Sequence, residues 1–232
     1  ISRVNQPDAI GVRTGDVNRN TVQVFTPGYV PRAFFVYKQK LDDQGRPFSL
    51  AGNTNADLLQ TFEDLNGDGV IDTKDRYRTQ QAAPKFILGL TSNLTSGNAY
   101  LNFTLRSFIG NYAYNNVSAG LNNYANTFTS NGNYFSNTTP LLGNEVNFVG
   151  RQAFSSYYVQ DASFVRMENI TVGYNFPKLG GTDGRNLGLS FSVQNAFTLS
   201  PYKGLDPEVV DGLDNNFYPR ARTFNVGLSL GF

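Results

Sequence analysis

Long stretches of the chain alternate apolar and polar residues with a period of two, and this pattern leaves few folds open. It is clearest at the C-terminus, where Phe224, Val226, Leu228, Leu230 and Phe232 alternate with Asn225, Gly227, Ser229 and Gly231. In 187–199, Leu187, Leu189, Phe191, Val193, Phe197 and Leu199 share one face. Stretch 85–95 sets Phe86, Leu88, Leu90 and Leu94 together, and 99–110 sets Leu101, Phe103 and Leu105 against Asn102, Thr104 and Arg106. Stretch 163–176 presents Ile170, Val172, Tyr174 and Phe176. Strict alternation there also puts Arg166 and Glu168 on the apolar face, so that end is expected at the headgroup level of a membrane. A shorter strand is expected over 33–41 and a seventh over 17–25. Strands of soluble sandwiches average about five or six residues. The clearest of these reach the roughly 9–11 residues of a tilted membrane strand.

The connections sharpen this expectation. Ser96-Gly97-Asn98 is a plausible hairpin turn, and 177–186 is modest, whereas 42–84, 111–162 and 200–221 are long. Short turns at one end and long loops at the other are the habit of outer-membrane barrels, whose long loops are extracellular. That places the C-terminus on the periplasmic side. The fold expected is all-β: an antiparallel transmembrane β-barrel segment with long extracellular loops. Six or seven strands cannot close such a barrel, whose smallest form has about 8, and an open edge in lipid is not viable. Residues 1–232 therefore read as a portion of a larger barrel, or one completed by another chain. A soluble β-sandwich with elaborate loops is the plainer alternative. It accounts for the alternation but not for strand length, low charge and loop rhythm together.

Composition agrees and excludes. Charged residues are 16% of the chain, against roughly 25% in ordinary globular proteins. Aromatics reach 14%, from 19 Phe and 13 Tyr, yet mean hydropathy is −0.34 because Asn, Ser and Thr fill the rest. There is no His and no Cys. That removes zinc sites of the nitrogen/sulfur type, nucleophilic triads built on His and disulfides. A net charge of +1 gives no basic footprint for nucleic acid. No apolar run approaches the roughly 20 residues of a spanning helix, and no signal peptide opens the chain.

One motif carries specific chemistry. Asp64-Leu65-Asn66-Gly67-Asp68-Gly69-Val70-Ile71-Asp72-Thr73-Lys74-Asp75 has the spacing of a calcium loop. Asp64, Asn66 and Asp68 supply side-chain oxygens at positions 1, 3 and 5, and Gly69 permits the sharp turn. Val70 offers a carbonyl, Asp72 acts through water, and Asp75 closes the loop. Ile71 is the apolar anchor. Asp75 stands where an EF-hand has Glu, as in dockerin-type loops, and no helical pattern flanks both sides. The reading favoured is a structural Ca2+ clamping an extracellular loop; the alternative is an Asx-rich turn without metal.

Two other regions carry weaker signals. Asp206, Glu208, Asp211 and Asp214 match no ligand spacing and read as a solvated loop beside Tyr202, Phe217 and Tyr218. Stretch 111–162 is rich in Asn, Ser, Thr and aromatics, among them Tyr112, Tyr114, Tyr124, Tyr134 and Phe135. That composition suits sugar contact, or equally a loop folded into a barrel mouth. Asn137-Thr138-Thr139 has the form of a glycosylation acceptor and carries little weight in so Asn-rich a chain. No spacing singles out a pair of carboxylates for glycoside hydrolysis.

Five stretches together resemble the C-terminal part of SusC/RagA-type TonB-dependent outer-membrane transporters of Bacteroidetes. They are the Asp64–Asp75 loop with Pro84-Lys85-Phe86; Gly110-Asn111-Tyr112-Ala113-Tyr114-Asn115; 158–166 with Asn169-Ile170-Thr171-Val172-Gly173-Tyr174; Gln194-Asn195-Ala196-Phe197 with 202–208; and Tyr218-Pro219-Arg220 through Phe232. Their order covers most of 33–232. The resemblance implies the last six or seven strands of a 22-stranded barrel that imports oligosaccharides or peptides. It implies energy drawn from TonB through an N-terminal region, and a SusD-like surface lipoprotein capping the mouth. Neither a plug nor a TonB-contacting segment is recognisable in these residues. Phe232, after its alternating apolar residues, resembles the signal read by the barrel-assembly machinery; it also suits an aromatic girdle. The function expected is TonB-dependent import without covalent chemistry, so no enzyme. A passive porin or surface adhesin is the runner-up, and a soluble calcium-dependent carbohydrate-binding module the third reading.

Overall fold

The computed structural model describes residues 19–25, 27–48, 54–127, 137–144, 146, 148, 152–178, 185–215 and 218–231. Phe232, Tyr134, Phe135, Phe217 and residues 17–18 lie outside them. In chain order the elements are α1 (Arg19–Val22), β1 (Gln23–Val24), β2 (Ala33–Tyr37), α2 (Asn55–Thr61), β3 (Arg76–Gln81), β4 (Phe86–Ser96) and β5 (Ala99–Ile109). There follow β6 (Tyr112–Asn115), α3 (Asn116–Leu121), β7 (Val159–Asp161), β8 (Phe164–Phe176), β9 (Asn186–Leu199), β10 (Leu213–Asp214) and β11 (Thr223–Gly231). The chain divides into two units: one of 1–83, 111–161 and 202–217, the other of 84–110, 162–201 and 218–232.

The second unit is one antiparallel sheet in the order β11-β9-β8-β5-β4. Its strands are those that the alternation marks, 9 to 14 residues long. β4 and β5 are joined at Ser96↔Ala99 by the two residues Gly97-Asn98. Gly97 has φ +59°, the first-position glycine that a type II′ turn asks for. This turn and the β8–β9 connection lie at one end of the sheet, together with Gly231. The links to 110–163 and 200–222 leave from the other end.

Register assigns the faces. Leu94, Leu90, Leu88 and Phe86 stand opposite Leu101, Leu105, Ser107 and Ile109. Leu101 and Phe103 stand opposite Val172 and Ile170, which meet Phe191 and Val193 on β9. Phe191 and Val193 in turn meet Val226 and Phe224. These side chains remain open: Phe86 is 63% exposed and Val226 80%. A sheet that leaves one whole face apolar and uncovered has no core of its own.

Arg166 and Glu168 do not sit on that face. β8 bulges at Glu168, because Thr104 pairs with Asn169 while Leu105 pairs with Met167. One extra residue reverses the alternation. Met167 and Val165 thereby join the apolar face, and Arg166 stands on the polar face opposite Arg106. The bulge, rather than a headgroup-level position, resolves the misplaced charges. β9 bulges at the same level, where Met167 pairs with Phe197 but Asn169 with Gln194. Between these two levels the chain advances two residues on β5 (Leu105 to Phe103), three on β8 (Met167 to Ile170) and four on β9 (Phe197 to Val193).

The first unit is built differently. The sixth expected strand, 33–41, is β2; in its Ala33-Phe34-Phe35-Val36-Tyr37 run, between β1 and β3, all but the half-buried Phe35 are buried. A continuous apolar run suits a doubly covered strand, not a wall with one wet face. The seventh, over 17–25, shows α1 and the two-residue β1 instead. Among the described residues the long sheet therefore has five strands. A second small sheet, β10-β6-β7, holds a parallel pair, β10 with β6. Phe34, Val36, Tyr37, Phe62, Ile71, Tyr114, Phe148 and Tyr158 form the buried core. So described residues of 42–84, 111–162 and 200–221 contribute to a packed body with its own interior. α2 opens on a capping box: the Thr54 side chain accepts from the Asp57 N–H, and the Asp57 carboxylate accepts from the Thr54 N–H. Such reciprocal capping satisfies two otherwise orphaned amides. Gln39 ties three segments together, donating to the carbonyls of Phe48 and Thr61 and accepting from the Ser155 hydroxyl at 2.8 Å.

Candidate functional site

The acidic loop ends in a single 3₁₀ turn, 73–75, which leads into β3. Its carboxylates are turned onto its own amides. Asp64 accepts from the Gly67 N–H at 2.7 Å and the Gly69 N–H at 2.8 Å. Gly69 has φ +78°, a conformation in which Cβ is costly. Asp68 accepts from the Val70 N–H and from the Asn66 amide, both at 2.9 Å. Asp75 is fully buried and accepts from the N–H groups of Leu65 and Asp72. Asp72 caps the 3₁₀ turn through the Lys74 N–H, and the Lys74 ammonium stands 3.7 Å from the other oxygen of Asp72. Asn55 closes the loop from α2, donating to the Gly69 carbonyl and accepting from the Ile71 N–H. Ile71 is 2% exposed and anchors the loop in the core.

The donor types match a hard oxygen-seeking cation. Yet among the described residues no three acidic side chains come together in a metal-ligand grouping. Val70, offered for its carbonyl, is 48% exposed. The amides of Gly69, first, and of Gly67 hold the Asp64 carboxyl below the usual carboxylate range, because they bond the charged form.

The second acidic cluster disperses into separate structural tasks. Asp206 accepts from the Glu208 N–H, Asp211 pairs with Arg32 at 2.8 Å, and buried Asp214 accepts from the Tyr202 hydroxyl at 2.8 Å. Burial first, then the Asp214 charge, raises the Tyr202 pKa.

Two charged groups escape a motif search. On the polar face of the sheet, the bulge residue Glu168 accepts from Arg106 Nε at 2.8 Å, and its other oxygen lies 3.9 Å from Arg220 Nη1. Arg166 donates from Nε to the Thr198 hydroxyl. With Asn169, Gln194 and Asn195, Glu168 and Arg220 line a shallow concavity. Asn195 has φ +50° and donates to the Arg220 carbonyl. In the first unit, Arg76 is only 6% exposed and its guanidinium carbon lies 3.8 Å from the Phe154 ring centroid. Burial lowers its pKa. The sequence signal for the wall group was present in the charges that broke the alternation; none marked Arg76.

No family model matches the chain. It is 39% identical over 225 residues to TonB-dependent receptor SusC of Bacteroides thetaiotaomicron, covering 93% of this chain and 21% of that receptor. It is 30% identical to TonB-dependent receptor P3 of Formosa agariphila, covering 94% of this chain and 24% of the receptor. The chain belongs with the SusC/RagA-type TonB-dependent transporters. Among solved structures, the RagAB peptide transporter superposes with a TM-score of 0.66 at 18% identity, over 93% of this chain and 24% of that one. The SusC/RagA-type chain thus spans about a fifth to a quarter of the length of the relatives it matches. Its long antiparallel sheet has the fold of barrel strands in those transporters, and the family resides in the outer membrane. The relatives are receptors and transporters, not enzymes.

Proposed function

We propose that this chain forms part of the wall and the mouth of an outer-membrane importer of nutrient oligomers, oligosaccharides or peptides, energised through TonB. A SusD-like surface lipoprotein is its partner at the mouth. The observation that carries this reading is the five-stranded sheet with one continuous apolar face, whose long connections all leave from one end. A face of that kind must be covered, and in an outer-membrane barrel lipid covers it. In this reading the first unit is extracellular and Gly231 lies at the periplasmic end. Uptake of a labelled oligomer by cells carrying the intact gene should vanish both on its deletion and on loss of TonB. Uptake that survives loss of TonB would replace this reading with a passive porin.

Two features of the same reading rest on the sequence. Phe232, with the alternating apolar residues before it, acts as a signal recognised by the barrel-assembly machinery; its deletion should lower the amount of protein in the outer membrane, and normal assembly would refute the role. The Asp64–Asp75 loop takes a structural Ca2+ through Asp64, Asn66, Asp68, the Val70 carbonyl, Asp72 and Asp75. Supporting this are the spacing and the all-oxygen donor set. Calcium should raise the melting temperature of the wild type and leave the Asp64→Ala/Asp68→Ala double variant unmoved. An equal response in both would make the loop an Asx turn without metal.

A further inference from the structure

Arg76 and Arg78 stand two residues apart on β3, opposite Tyr37 and Phe35 of β2. Residues so spaced share one face of a strand. Both arginine side chains therefore leave the same face of β3, opposite Tyr37 and Phe35. Arg78 is exposed and stacks over the Tyr29 ring at 4.1 Å. Arg76 is more than nine-tenths buried, donates to the Thr21 carbonyl at 3.2 Å, and its Nε has no hydrogen-bond partner among the described residues. No described carboxylate is within ion-pair distance of it. Both arginines, with Tyr29, Phe35, Tyr77 and Thr79, line a concavity of about 470 Å³, a size at which small-ligand sites are found. Among the described residues its lining contains no acid.

A buried cation without a counter-ion among the described residues, as Arg76 is, is costly. Rings beneath Arg76 soften this without supplying negative charge. That cost falls when a carboxylate enters, since the guanidinium fork matches a carboxylate in two parallel bonds. The exposed Tyr29 ring, over which Arg78 lies, adds a surface for the C–H face of a pyranose. A uronic acid carries a stackable face and a carboxylate on one ring, whereas a peptide's terminal carboxylate has no ring of its own unless its last residue is aromatic.

We infer that the concavity at Arg76 and Arg78 is a binding subsite for a uronic-acid unit of an oligosaccharide. This deepens the import reading by naming the class of cargo, and rests on it. The test is calorimetric titration of the full-length transporter in detergent, where no TonB energy enters, with trigalacturonate, a neutral galactotriose and trialanine. Trigalacturonate should bind at least roughly tenfold more tightly than galactotriose, the worth of one charge-assisted bond pair. Arg78→Gln, at an exposed position that leaves the core intact, should erase that preference; Arg76→Gln should do likewise and Arg76→Lys retain part of it. Equal binding of acidic and neutral sugars, no binding of trigalacturonate, or a preference that survives Arg78→Gln would overturn the assignment. So would trialanine binding as tightly as the uronide. In each of those cases TonB-dependent uptake of another oligomer would leave the import reading standing.

Discussion

The two units solve the problem of burial in opposite ways. The compact unit encloses Phe34, Phe62, Tyr114 and Tyr158 at or near zero exposure and hence makes its own interior. The sheet encloses almost nothing: its apolar residues point outward along five strands. One half is stabilised by contacts within the chain, the other by what surrounds it. A perturbation should therefore show its effect in a different assay depending on which half it strikes.

The largest effect is expected from Phe62→Ala, which empties a ring packed 5.3 Å from that of Tyr37. It should cost about 3–5 kcal/mol, read as lost hydrogen-exchange protection at Phe34 and Val36 while the strands of the sheet keep theirs. Equal loss in both halves would show that they unfold as one. Leu90→Arg comes next. Leu90 pairs with Leu105 on the apolar face, and a charge there should cost about 2–4 kcal/mol near the bilayer midplane, measured by denaturant unfolding from vesicles. Thr91→Arg, one residue along and on the polar face, should cost far less; similar losses would refute the face assignment. Removing a cap is milder: Thr54→Ala should lower stability of the compact unit by about 1 kcal/mol, visible as faster exchange in Asn55–Thr61 alone.

The smallest effect is on pH dependence. The folded pKa of Asp64 lies below its unfolded value of 3.8, so its contribution is fully present above about pH 4 and is lost as the pH falls through the folded pKa. Melting curves from pH 5 downward should therefore fall less steeply in Asp64→Asn than in the wild type, with no difference between them at pH 7 in that slope.

The same contrast governs what the sequence could convey. A strand with one wet and one apolar face writes its orientation residue by residue, so all five strands of the sheet were legible within about a residue at their ends. The compact unit has no such period. Its apolar residues are scattered over 22–213 and meet only through long-range packing, and a short doubly buried strand such as β2 looks like a fragment of wall. The acidic loop was legible as a loop because Asx and Gly act locally. Arg76 was not, since what makes it unusual is the distant Phe154 ring above it and the lack of a described carboxylate nearby.

The unequal strand lengths at the bulges set a rule of parity. β9 takes two more residues than β5 across the same level, and its odd-numbered apolar residues stay in phase from Leu187 to Leu199. β8 takes only one more, and its phase inverts, which is how Arg166 changes sides. Lineages that lengthen these strands by even steps keep the same residues against lipid and need no further substitution. An odd step demands that every position on one side of the insertion be rewritten, so the inversion in β8 is the kind of change that is hard to make and hard to undo.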